Sequence, residues 1–181
     1  MIRHIYLIGY RGSGKTSVGK ALAALLGWPV FDSDDRVELT AGRSIREIFE
    51  TEGESGFRAL ETAAILSLSE LSLPHILSLG GGAILRQENK EVIHETGYVV
   101  WLKASALNLY SRIHADSATA DRRPALTNLA GLDEIKKILA IRSPIYESVS
   151  NYSVETDERR TVEIAEDIFR WYSHLQSKES R

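Results

Sequence analysis

Gly9-Tyr10-Arg11-Gly12-Ser13-Gly14-Lys15-Thr16 is the stretch from which the fold can be read. An apolar run, Ile5-Tyr6-Leu7-Ile8, comes before it, and Val18, Leu22, Leu25 and Leu26 follow at helical spacing. A glycine loop of pattern G-x-x-x-x-G-K-[ST] between a strand and a helix is a phosphate cradle. Its glycines let backbone N–H groups converge on phosphate oxygens without side-chain clash. Gly12, Ser13, Gly14, Lys15, Thr16 and Ser17 are therefore the candidate nucleotide contacts. Lys15 can reach the β- and γ-phosphates, and the Thr16 hydroxyl can ligate Mg²⁺. The helix that starts near Lys15 adds its positive end to the anion site. A chance glycine-rich turn is the plain alternative, against which the complete match in the required strand–loop–helix context speaks. The motif implies nucleotide binding and leaves the reaction open.

Outward from the loop, apolar runs bounded by turn residues alternate with stretches of helical period. Strands are expected over 5–8, 29–32, 76–79, 98–102 and 152–154. Helices are expected over 15–26, 34–41, 44–50, 54–71, 88–95, 107–112, 133–146 and 162–172. Ser44-Ile45-Arg46-Glu47 has the pattern of a capping box. The polar stretch 114–124 lacks periodicity and reads as a mobile loop, and the polar end 177–181 as frayed. The alternation predicts an α/β fold: a P-loop NTPase-type parallel sheet of about five strands, flanked by helices, with a mobile lid. One domain is expected over 1–181, with the helices near 33–61 and the lid near 113–126 as sub-regions that could face a ligand. Ligands of such sheets sit at the carboxyl ends of the strands.

The bulk properties narrow the function classes. With 43% apolar and 26% charged residues, the 181-residue chain can bury a core and is not of disordered composition. It has no cysteine, which removes disulfides and thiolate metal sites and is compatible with a reducing cytoplasm. A balance of 22 basic against 25 acidic residues argues against nucleic acid as partner. No apolar run approaches bilayer length, so a soluble, cytoplasmic protein without a membrane partner is expected. His4, His75, His94, His114 and His174 are scattered and expected at the surface, without metal roles. Trp28, Trp101 and Trp171 read as packing residues at element ends, and Leu66, Leu68, Leu71 and Leu73 as core.

Five further motifs are more selective than the loop. Asp32-Ser33-Asp34 closes the second strand, Gly56-Phe57-Arg58 lies on a helix, and Gly80-Gly81-Gly82 closes the third strand. Arg123-Pro124 falls in the polar loop, and Arg142-Ser143-Pro144-Ile145-Tyr146 comes later. In order and spacing the set resembles the shikimate kinase family over about residues 5–159. The resemblance implies ATP-dependent phosphorylation of the shikimate 3-hydroxyl, with Mg²⁺, in aromatic amino acid biosynthesis. It implies that Asp34 bonds the ring hydroxyls, that Arg58 and Arg142 hold the carboxylate, and that the Gly81 amide meets the substrate, beside Gly80 and Gly82. Thr16 would be the direct metal ligand and Asp32 a carboxylate near the metal. Arg123 would be the lid arginine closing on the phosphates, and Arg112 and Arg159 would lie near adenine. A monomer is expected.

The chemistry asks for these residue types. Phosphoryl transfer needs in-line placement and cations around a spreading charge. A carboxylate can orient the attacking hydroxyl and accept its proton, the role expected of Asp34. On an extended strand end Asp32 and Asp34 would point to one side and repel unless a cation intervenes. The planar guanidinium fork suits a substrate carboxylate better than lysine does. The sequence departs from the family in having Val154-Glu155-Thr156 where Val-Asp-Thr is more usual, and in a longer polar stretch between Arg112 and Arg123. Strand 76–79 carries no Walker-B carboxylate, which leaves the metal role to Asp32.

Plainer readings stand beside these. Asp32-Ser33-Asp34-Asp35 could simply cap a helix, and Arg58 could be a solvated surface charge. The three glycines could be a bare turn and Arg123 a loop residue. Other functions compatible with the loop are a gluconate or nucleoside-monophosphate kinase and a GTP-dependent switch. The first should lack the combination of Asp34, Arg58, Gly81 and Arg142; the second usually carries Asp-x-x-Gly and Asn-Lys-x-Asp, absent here.

Overall fold

Strand β1 (His4–Ile8) has all five residues buried and lies in the middle of the sheet. The structure is a computed structural model describing residues 3–115 and 131–179. After β1 come α1 (Lys15–Leu26), β2 (Val30–Asp32), α2 (Ser33–Ala41), α3 (Ile45–Ser69) and β3 (Ile76–Ser78). A 3₁₀ turn (Ala83–Leu85) leads to α4 (Gln87–Thr96), β4 (Gly97–Lys103) and α5 (Ala106–Ala115). Helix α6 (Leu132–Val149), β5 (Tyr152–Glu155) and α7 (Thr161–Glu179) complete the described chain. The five strands are parallel, in the order β2-β3-β1-β4-β5, as the alternation predicts.

The apolar run of β1 serves two cores at once, because successive side chains of a strand face opposite ways. Ile5 and Leu7 pack with Val18 and Leu22 of α1 and Ile164 and Ile168 of α7. Tyr6 and Ile8 pack on the other face with Ile65 and Leu68 of α3, Ile93 of α4 and Tyr146 of α6. The chain runs from β1 to one side of the sheet and later to the other, so the carboxyl end of β1 is where the strand order reverses. A crevice opens at such a point.

Several expectations are corrected in detail. The expected break between helices 44–50 and 54–71 is a kink within α3 at the non-helical Gly53 (φ 68°, ψ −171°), and the second half ends at Ser69 rather than at residue 71. The capping box at its start is formed, with the Ser44 amide donating to Glu47 at 2.8 Å and the Glu47 amide to Ser44 Oγ. Residues 177–179 are helical rather than frayed, continuing α7 beyond Leu175, which packs on the core. Residues 113–115 belong to α5, where Ile113 is buried, and the remainder of the expected lid, with Arg123, lies outside the described residues.

Two histidines overturn the surface reading. His4 (1% exposed) and His75 (0%) are buried side by side, with ring centroids 3.9 Å apart. One nitrogen of each finds a main-chain acceptor: His4 Nε2 donates to the Ser69 carbonyl at 3.1 Å, and His75 Nδ1 to that of Leu73 at 3.2 Å. Burial disfavours the charged form and lowers both pKa values, that of His75 to about 4. A neutral imidazole with a bonded edge packs as an aromatic ring. Leu66 (41% exposed) and Leu73 (68%) are not core residues; Leu68 alone of the four is fully enclosed, with Leu71 packed beside it.

Candidate active site

The glycine loop leaves β1 at the crevice and delivers the chain into α1. Gly14 caps the helix in the left-handed region (φ 92°, ψ 13°), a conformation glycine adopts without strain, and no side chain caps the helix. The positive end of α1 therefore faces the crevice. Lys15 Nζ donates to the carbonyls of Gly9 (2.9 Å) and Tyr10 (3.0 Å), which arches the ammonium back over the loop. Gly12, Ser13, Gly14, Lys15, Thr16 and Ser17 all line one cleft of about 720 Å³.

The opposite wall comes from β2 and α2, where the geometry differs from that expected. Asp34 does not alternate with Asp32 along an extended end. Asp32 closes β2 and caps α2, its Oδ1 accepting from the Asp34 amide at 2.9 Å, so Asp34 stands in the first helical turn. The capping carboxylate starts the helix at Ser33. Capping and a place in the cleft coexist, since Asp32 and Asp34 both line it. Thr16 Oγ1 donates to Asp32 Oδ2 at 3.3 Å. Burial, and then the neighbouring Asp34 charge, push the Asp32 pKa up. A cation at this point would offset both.

The glycine turn after β3 forms the third wall. The Ala83 amide closes it onto the Gly80 carbonyl (2.9 Å), and the Gly80 amide donates to Ser33 Oγ (2.9 Å). Arg58 and Arg142 reach this turn from outside the cleft lining. A Cβ on Gly82 would stand 2.4 Å from Arg58 Nη2, so the guanidinium lies directly against this glycine. Arg142 Nη1 donates to the Gly81 carbonyl at 3.1 Å.

Arg58 is no surface charge. Its side chain is 8% exposed, and Nη1 donates to Glu61 at 2.6 Å, a carboxylate with no exposure at all. Nε and Nη2 donate to Glu54 at 3.3 and 3.1 Å. Burial opposes the guanidinium charge, but the Glu61 and Glu54 carboxylates outweigh it and hold the pKa above its ordinary value. Three of five N–H groups are thus engaged, and two remain for a ligand.

At the other end of the cleft stand Arg112 and Arg159. Arg112 donates to the Thr156 hydroxyl (3.0 Å) and carbonyl (2.6 Å), tying α5 to the loop after β5. Arg159 Nη2 pairs with Asp167 at 2.5 Å. Arg123 lies outside the described residues. Three participants had no individual role in the sequence reading: Glu61, and Thr156 and Tyr146, which were read only as parts of motifs; the Tyr146 hydroxyl donates to the Gly81 carbonyl at 2.5 Å. Helical spacing carried a signal for two of them, since Glu61 stands three residues after Arg58 and Tyr146 four after Arg142.

The sequence profile of the shikimate kinase family matches residues 11–173. The chain belongs to the shikimate kinase family. The shikimate kinase of Rhodopirellula baltica is 42% identical over 168 residues, covering 93% of this chain and 89% of the relative. That of Symbiobacterium thermophilum is 38% identical over 165 residues, covering 91% and 93%. A solved shikimate kinase from Acinetobacter baumannii, in complex with shikimate, superposes with a TM-score of 0.88 at 34% identity, covering 97% of this chain and 95% of that one.

Shikimate kinases use ATP and generally require Mg²⁺, and the residues present suit such an ion. Among the described residues no cluster of three or more His, Cys, Asp or Glu could hold a metal alone. Thr16 and Asp32 supply hard oxygen donors beside the phosphate loop, the sparse protein shell that suits Mg²⁺ when phosphates and water complete it. No helix among the described residues of this shikimate kinase family member is long and apolar enough to cross a membrane.

Proposed function

We infer that the chain transfers the γ-phosphoryl group of ATP to the 3-hydroxyl of shikimate, giving ADP and shikimate 3-phosphate. The observation that carries this reading is the meeting of Arg58 and Arg142 on Gly82 and Gly81, on the wall of the cleft that also holds Lys15 and Asp34. Two guanidinium groups on one small turn make a receptor for a carboxylate, and the phosphate loop across the cleft makes one for the nucleotide.

Each residue then has one task. Lys15 and the amides of the loop hold the β- and γ-phosphates. Arg58 and Arg142 grip the shikimate carboxylate, with the Gly81 amide beside them, and fix the ring's orientation. Asp34 aligns the 3-hydroxyl and takes its proton as the oxygen attacks γ-phosphorus and the bond to the β-phosphate oxygen breaks. Arg112 and Arg159 flank adenine. Arg123, which lies outside the described residues, is assigned as a further cation for the transferred phosphoryl group. Thr16 and Asp32 would hold Mg²⁺, which would supply positive charge to offset the negative charge spreading over the phosphates during transfer.

A coupled ADP-release assay with shikimate, gluconate and nucleoside monophosphates tests the reading. Turnover is expected with shikimate alone; an inert shikimate beside an active gluconate would overturn it. Every assigned group comes from one chain, so the active form is proposed to be a monomer, which sedimentation at assay concentration checks.

A further inference from the structure

Tyr146 is completely buried in the core beneath the sheet, yet its hydroxyl ends on the Gly81 carbonyl. It lies one helical turn beyond Arg142, on the same face of α6, and the two side chains donate to the same oxygen, at 2.5 and 3.1 Å. A carbonyl accepts two hydrogen bonds, and both are used here. Nothing the reaction requires explains a second donor on that atom, because Arg142 alone already reaches it.

We propose that Tyr146 is a positioning residue for the reaction: with Arg142 it locks the peptide between Gly81 and Gly82, and thereby sets the direction of the Gly82 amide and steadies the glycine turn that meets the substrate. This rests on the functional reading above. The peptide unit is planar and trans, so holding the Gly81 C=O toward α6 turns the Gly82 N–H the opposite way. Consecutive glycines have no side chains to restrict their dihedrals, and a turn built from them keeps one orientation only if something outside it holds it. Neither the Gly81 nor the Gly82 amide donates to another described residue, and Gly81 lines the cleft.

The surroundings suit this task. Trp101 stands against the phenol, its centroid 5.7 Å from the Tyr146 ring, which limits where the hydroxyl can go. Burial pushes the Tyr146 pKa up to about 12, so the proton needed for donation is retained throughout the neutral range. A Cβ on Gly81 would lie 3.3 Å from the Gly9 carbonyl and 3.6 Å from the Tyr146 hydroxyl. The turn is therefore pinched between the tyrosine and the start of the phosphate loop. The Gly9 carbonyl is also an acceptor for Lys15 Nζ, so the hydroxyl fixes the spacing between acceptor turn and phosphate lysine.

Tyr146→Phe removes the hydroxyl and keeps the ring. Its KM for shikimate should rise roughly tenfold, the value of one buried hydrogen bond, with the KM for ATP within twofold of the parent. Trp101→Phe is the structural control: it loosens the packing around the same ring and should lower Tm without moving the shikimate KM. An unchanged shikimate KM in Tyr146→Phe overturns the inference, as does a rise matched by ATP or by Trp101→Phe. Independently of any variant, shikimate should shift the Gly81 and Gly82 amide resonances of ¹⁵N-glycine-labelled parent protein, and unmoved resonances overturn the inference too. A parent that does not phosphorylate shikimate overturns the functional reading itself, and this inference with it.

Discussion

Removing Arg58 should do two separable things, because its guanidinium faces both the glycine turn and a buried carboxylate. Arg58→Met leaves the Glu61 carboxylate, fully enclosed, without the charge that stands 2.6 Å from it. Breaking one side of a buried ion pair costs about 3–5 kcal/mol. For a chain of this size that is a Tm fall of roughly 6–20 °C. Glu54 adds little to the count, being 60% exposed. Arg58→Met/Glu61→Leu removes both charges and should recover most of the lost stability, since a buried pair replaced by apolar groups is often neutral or better. Shikimate binding should not recover with it. The lost charged hydrogen bonds are worth about 1.5–3 kcal/mol, a rise in shikimate KM of roughly 10- to 150-fold in single and double variants alike. Differential scanning calorimetry and steady-state kinetics on both proteins make the comparison. A double variant with parental shikimate KM would remove Arg58 from the substrate site, and an unshifted Tm in the single variant would show that the pair is not buried as described.

Three further outcomes are expected. Lys15→Ala should abolish turnover in the coupled assay with Tm nearly intact, because its described hydrogen bonds go to the loop's own carbonyls; near-parental rates would discredit the phosphate-loop assignment. Asp32→Asn should raise the Mg²⁺ concentration for half-maximal rate about tenfold or more, read from a metal titration at saturating substrates, and an unmoved midpoint would remove Asp32 from the metal's surroundings. His75 has a folded pKa lowered from 6.5 to about 4, so the unfolded chain binds the extra proton first. Stability is fully present above pH 6.5 and is lost as pH falls toward 4, by on the order of 3 kcal/mol. Urea denaturation from pH 7 to pH 4 should show a smaller acid loss in His75→Leu, and parallel profiles would refute it.

The fold was legible because its signals are local. A four-residue apolar run, a glycine loop and a helix-period stretch sit side by side in sequence, and strand–helix alternation then dictates a parallel sheet. The phosphate contacts were legible for the same reason. What resisted reading depends on partners distant in the chain. The burial of His4 follows from pairing β1 with β3, which sets it against His75. The placement of Asp34 turned on whether Asp32 continues the strand or caps a helix, and both are good uses of an aspartate. The enclosure of Arg58 was invisible because Glu61 reads as an ordinary helical carboxylate until α3 is packed against the sheet. Periodicity marked Leu66 and Leu73 as apolar but not which way they would face.

Asp32 holds its two oxygens to different duties: Oδ1 accepts from the Asp34 amide, and Oδ2 alone turns toward Thr16. A carboxylate tethered in this way spends one oxygen on the backbone and turns the other toward the phosphate loop. The fold's method of starting a helix thereby also decides which carboxylate oxygen the phosphate loop meets.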